Sequence, residues 1–211
     1  MDLTPAMSAR AVLIVAGGTF LALAVTVSLI GALPGDAWTR EALLSWASPA
    51  FVAVMRVANH AGSWPVLVPA ALLLLFLSPR LRGTWWVWLP VFVLAPLIEG
   101  GAKFLVGRTR PEGPAYGFPS GHAAAAAVCF GAVWYAAADL PPRLRYAART
   151  AAVIVIVLVA LARVILRAHW PSDALGGIAL GVACASGAAF ISVSSLRTPA
   201  GPTPPRPPSR G

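Results

Sequence analysis

The sequence predicts an all-α, polytopic membrane protein built as a bundle of six transmembrane helices, and three observations carry that prediction. Of 211 residues, 58% are hydrophobic and only 11% are charged, too apolar a balance for an ordinary soluble domain. Six apolar stretches approach the roughly 20 residues that a helix needs to cross a bilayer. These stretches are continuous rather than alternating, so they are not barrel strands, and a membrane admits only helices or closed barrels as spanning structures.

In chain order, residues 11–33 form the first span, longer than the core of a signal peptide and therefore expected to be retained. Residues 34–59 hold Trp38, Trp46 and few charges; a short amphipathic helix on the outer surface is expected there, guiding a lipid or packing as a lid. The second span, 63–77, is short and can be lengthened back to Ala61. The third, 84–102, starts with Trp85, Trp86 and Trp88, expected as an inner interfacial belt. Residues 121–138 are the fourth span. The fifth, 150–166, is short and holds Arg163, which must emerge at the membrane surface or into a wet cavity. Residues 174–196 are the sixth. One domain is expected over 1–197, followed by a Pro-rich cytoplasmic tail, 198–211, expected to be disordered.

The net charge of +9 comes without a basic run, so nucleic acid is set aside as a partner. With the N-terminus inside, nine arginines fall on the cytoplasmic side: Arg10, Arg80, Arg82, Arg143, Arg145, Arg149, Arg197, Arg206 and Arg210. Of the seven outer cations, five lie in polar loops that have chemical work to do, which leaves Arg40 and Arg56 as bystanders and satisfies the positive-inside rule. Cys129 and Cys184 sit in apolar segments and read as small hydrophobes, with no disulfide or metal knuckle implied. No internal repeat is evident, which weakens a transporter reading.

Three polar pieces then share the outer face: KFLVGRTRP from Lys103 to Pro111, PSGH from Pro119 to His122, and the stretch holding Arg163, His169 and Asp173. Ionisable groups at a membrane face are costly and point to function. Lys103 follows Glu99 by one helical turn and can pair with it. Arg110 precedes a proline, which favours an extended backbone, and a guanidinium there can grip phosphate oxygens in pairs. Arg108 points the same way if the loop is extended, with no role fixed for it. Ser120 suits the N-cap of the fourth span, and Gly121 lets an anion approach a helix N-terminus. Asp173 falls in the first turn of the sixth span, where a carboxylate can hold the His169 imidazole in a nucleophile's tautomer.

Lys103-x6-Arg110-Pro111, Pro119-Ser120-Gly121-His122 and Arg163-x5-His169-x3-Asp173 resemble the three signature motifs of the type 2 phosphatidic acid phosphatase (PAP2) family, which shares its site with vanadium haloperoxidases. The resemblance covers the third to sixth spans and implies a PAP2-type six-helix bundle. It implies that His169 is the nucleophile, forming a phosphohistidine, that Asp173 orients it, and that His122 protonates the leaving oxygen. Lys103, Arg110, Ser120, Gly121 and Arg163 would bind the phosphate, with no metal or other cofactor. The family often has Ser before the third-motif Arg; here it is Ala162, which puts any bond from that hydroxyl in doubt.

The implied activity is a metal-independent phosphatase of the cytoplasmic membrane, acting on a lipid phosphate at the extracytoplasmic side. Candidate substrates are phosphatidic acid, phosphatidylglycerophosphate and a polyprenyl diphosphate such as undecaprenyl diphosphate. The partners implied are the lipid substrate and the bilayer, with no protein partner. A haloperoxidase, a lipid flippase without hydrolysis, and a zinc or magnesium hydrolase are the competing readings.

Overall fold

A computed structural model describes residues 4–195, with side chains from residue 7 onward; the tail expected over 198–211 lies outside the described residues. The described chain is helical apart from its connections and one isolated bridge between Thr109 and Tyr116. Helix α1 is Thr4–Ile30, α2 Asp36–Ser45, α3 Pro49–His60, α4 Trp64–Leu77, α5 Pro79–Gly83, α6 Trp85–Val106, α7 Gly121–Ala136, α8 Pro142–Ile165 and α9 Pro171–Ser195. Of these, α1, α6, α8, α9 and α7 with its 3-10 extension to Asp139 are long and apolar enough to cross a membrane.

The six expected spans correspond to α1, α4, α6, α7, α8 and α9, and of the two expected to be short only one is. The fifth is not short: α8 begins at Pro142, eight residues before the predicted start, because Pro141 and Pro142 set its entry and Arg143, Arg145 and Arg149 occupy its first turns. The second remains short, since α4 has 14 residues and rises only about 21 Å. It still connects the two ends of the bundle, because α3 packs beside the C-terminal half of α8, while α5 and the start of α6 pack beside the end of α7.

Two expectations for the aromatic residues are corrected. Trp85 and Trp86 are exposed as an interfacial belt requires, but Trp88 is fully buried, its ring 5.3 Å from Tyr135 in a core cluster with Leu81 and Ala132. Trp86, two residues before Trp88, lies on the opposite side of α6, and Trp85, on the side of Trp88, is the first residue of the helix. The 34–59 segment is not one amphipathic helix but two, α2 and α3, meeting at 117°. Ser48 breaks them: its backbone is extended and its hydroxyl accepts from the Phe51 N–H at 3.2 Å, capping α3. Trp38 and Trp46 are both 74% exposed on α2 and just after it, as residues of a headgroup layer would be.

Helix α9 is central, packed on α1, α7, α6 and α8. Small residues make its contact with α7 close: a methyl group on Gly177 would strike the Ser120 carbonyl and one on Gly181 the Ala124 carbonyl. Apolar lipid tails give two helices little hydrophobic reason to associate, so close van der Waals approach across such residues does much of the work. That approach brings the N-termini of α7 and α9 together.

Candidate active site

All three polar pieces meet at one end of the bundle. A cavity of about 410 Å³ is lined there by Lys103 and Glu99 of α6, Arg110 of the following loop, Gly121 and His122 of α7, Arg163 of α8, and His169. Away from these groups the same cavity is apolar, running between α4, α6 and α7 past Trp64, Leu67, Val68, Phe92, Ala95 and Val128.

Local backbone geometry explains how each side chain arrives. Helix α6 stops where Gly107 takes a left-handed conformation, φ 65°, its N–H donating to the Lys103 carbonyl at 3.0 Å. Lys103 is thus in the last turn, paired with Glu99. The loop then folds back, with the Arg110 N–H on the Ala115 carbonyl at 3.0 Å and the Arg110 Nε on the Tyr116 carbonyl at 3.3 Å. Arg163 ends α8, and its Nη1 donates to the Asn59 side-chain oxygen at 2.7 Å, so α3 steadies this cation. The turn from α8 to α9 closes with the N–H groups of Ala168 and His169 both on the Arg163 carbonyl, and Arg167 takes φ 60°.

Ser120 stands at the N-cap position of α7, but its hydroxyl makes no capping bond, and it is fully buried with no hydrogen-bond partner. Its backbone N–H donates instead to the Asp173 carbonyl at 2.9 Å, a bond that caps none of the first-turn N–H groups of α7. The free first-turn N–H groups of α7 therefore retain the capacity to hold an anion beside Gly121.

His169 is 1% exposed, and its Nδ1 lies 3.4 Å from Asp173 Oδ2, which also accepts from the Trp170 N–H at 3.0 Å. With Asp173 facing Nδ1, a proton held there leaves the lone pair on His169 Nε2. Burial pushes the imidazole below its ordinary pKa, helped by Arg163 and Arg110, while the Asp173 hydrogen bond pulls the other way. The result favours a neutral imidazole near pH 7.

Two expectations change, and Ala162 takes its place in the packing. Arg108 does not accompany Arg110 into the cavity: its Nη1 donates to Asp173 Oδ1 at 2.9 Å and its Nη2 to Asp36 Oδ2 at 2.6 Å, in a buried cluster. Two buried carboxylates attract the guanidinium more strongly than a site already rich in cations. Breaking such a buried pair costs about 3–5 kcal/mol. Arg40, expected as a bystander, pairs with Glu112, as does Arg167. Ala162 is fully buried beside Met55 and Ile165, so the family's serine position is here part of an apolar core.

Sequence reasoning missed Asp36, Asn59, Gly62 and Gly117. A Cβ on Gly117 would stand 2.7 Å from Asp173 Oδ2, and one on Gly62 would stand 2.9 Å from the His122 carbonyl. Polar or minimal residues in otherwise apolar surroundings were the available signal, but the site partners named here lie 56 to 136 residues away.

The sequence model of the PAP2 superfamily matches residues 84–195, which contain all three motifs. Among solved structures, a transmembrane PAP2-type phosphatidylglycerolphosphate phosphatase from Bacillus subtilis is similar over 87% of this chain and 94% of that one, with a TM-score of 0.67 and 24% identity. No curated protein matches the chain.

Proposed function

Because the chain belongs to the PAP2 superfamily, we propose that it is an integral-membrane phosphatase removing the terminal phosphate of a lipid phosphate or diphosphate through a phosphohistidine. The observation that carries this reading is the cavity itself, cationic where Lys103, Arg110 and Arg163 converge and apolar between α4, α6 and α7. A phosphate head and a hydrocarbon tail need those two environments side by side.

In the first step the His169 Nε2 lone pair attacks phosphorus, the P–O bond to the lipid breaks, and His122 gives its proton to the leaving oxygen. The Nδ1 proton stays on the ring, facing Asp173. In the second step His122 takes a proton from water, whose oxygen attacks phosphorus as the P–N bond breaks and restores His169. Lys103, Arg110, Arg163, the Ser120 hydroxyl and the Gly121 N–H stabilise the charge spread over the phosphoryl oxygens. Such positioned charge needs no metal ion.

The site end is read as extracytoplasmic. The opposite end carries Arg10, Arg80, Arg82, Arg143, Arg145 and Arg149, as a cytoplasmic face does. Outer cations are mostly engaged with the cavity or with Glu112.

The test is phosphate release by the purified protein in detergent from phosphatidic acid, phosphatidylglycerophosphate and undecaprenyl diphosphate. Turnover of at least one, lost in His169→Ala, is expected. Lipid movement across vesicles that survives His169→Ala, with no phosphate released, would replace the phosphatase by a flippase.

A further inference from the structure

Arg108 belongs to the first motif's loop, yet it lies outside the cavity and is 8% exposed. Its partners form a closed set. Asp36, the first residue of α2 and 3% exposed, accepts from the Leu33 N–H at 3.0 Å, the Ser172 N–H at 2.9 Å, the Ser172 hydroxyl at 2.7 Å and Arg108 Nη2 at 2.6 Å. Three of these donors reach Oδ2 and one reaches Oδ1, so both carboxylate oxygens are held. Arg108 Nη1 also reaches the Ser172 oxygen at 2.6 Å and Asp173 Oδ1 at 2.9 Å, and the guanidinium stacks on Trp170 at 5.4 Å.

The sequence of contacts runs from α2 to the nucleophile: Asp36, Arg108, Asp173, His169. We propose that Asp36 and Arg108 are positioning residues that set the charge with which Asp173 acts on His169. An unopposed buried Asp173 would draw a proton onto His169 and silence its lone pair. Arg108 opposes that pull, and Asp36 takes up part of the Arg108 charge, so that Asp173 still steadies the cationic imidazole formed on phosphoryl transfer. The cluster has two carboxylates for one guanidinium, and both carboxylates are held by its two Nη atoms.

This proposal rests on His169 being the nucleophile of the phosphatase proposed above. Its direct readout is the titration of His169, on which Asp173 of α9, Arg163 of α8 and Arg110 of the loop act; His122 of α7 and Lys103 and Glu99 of α6 share its cavity, and Arg108 stands on Asp173. The chain has three histidines, so imidazole 15N labelling of the protein in nanodiscs resolves them, with His169 assigned by its loss in His169→Gln. Removing a carboxylate disfavours the imidazolium, and removing a guanidinium favours it. Asp36→Asn should therefore lower the His169 pKa and Arg108→Gln should raise it, each by about half a unit or more, and the double variant should return close to the wild-type value.

Opposite signs distinguish a charge relay from mere loosening of the fold, which would move both variants toward the solvent value. Shifts of the same sign, or none, overturn the proposal. Arg108→Gln leaves two carboxylates without their cation; if it does not fold, Asp36→Asn decides alone, with an unchanged or raised pKa overturning the proposal. Phosphate release by the same preparations separates the two ideas. Opposed shifts in a protein that hydrolyses no lipid phosphate would support the relay and remove the phosphatase reading, whereas turnover with no shifts would do the reverse.

Discussion

The backbone N–H of Ser120 donates to the carbonyl oxygen of Asp173 at 2.9 Å. This bond ties the start of α7, which carries His122, to the start of α9, which carries the carboxylate behind His169. It forms only because Gly177 lets the two backbones approach closely, with Ala123 and Ala124 as its other neighbours.

Gly177→Ala is accordingly expected to destabilise the protein by about 1–3 kcal/mol, the usual cost of overpacking, and to lower kcat by separating the two histidines. Thermal unfolding in detergent and phosphate release measure the two effects. Wild-type stability together with wild-type turnover would show that the close approach is dispensable.

The proposed mechanism divides the chemistry between the two histidines, and leaving-group basicity tests the division. His169→Ala should abolish phosphoenzyme formation with every substrate, since no other side chain stands in for it. His122→Ala should lose about 10²–10⁴-fold on an alkyl lipid phosphate but far less on a nitrophenyl phosphate, whose leaving group needs little protonation. Asp173→Asn should fall between them. A labelled phosphoryl group trapped on His122 would reverse the assignment, and equal rescue of both alanine variants would support neither role.

Reporter fusions test the orientation. One at Arg145 or after Arg197 should report as cytoplasmic, and one near Gly113 as external. The inverted pattern would place the site on the cytoplasmic face and change which leaflet supplies the substrate.

Chelation tests the source of electrophilic assistance. If Lys103, Arg110 and Arg163, which line the cavity, stabilise the phosphoryl charge as proposed, phosphate release should persist in excess EDTA without added divalent cations. Activity that falls with EDTA and returns with magnesium or zinc would assign part of that work to a metal ion.

The all-helical membrane architecture was legible in the sequence because a bilayer restricts spanning structure to what long apolar runs can form. Three short motifs were legible too, since His, Arg, Lys and Asp stand out against so apolar a background. Their meeting in one cavity followed from topology, as each motif lies at the same end of a helix hairpin or turn. By itself, then, the sequence determined the helical membrane class, the approximate spans and the polar residues available for chemistry.

Tertiary structure alone decided which of those residues face the cavity and which stand behind it. Arg108 and Arg110 are two positions apart in one loop, yet one joins Asp36 and Asp173 and the other lines the cavity. Asp36, which no sequence motif singles out, is held by Ser172, 136 positions away. A buried charge takes its place from whichever opposite charges share its low-dielectric surroundings, and those neighbours are assembled by helix packing rather than by local pattern. For the same reason Trp88, one turn from two exposed tryptophans, became core: the packing of α6 on α7 settled which face it would occupy.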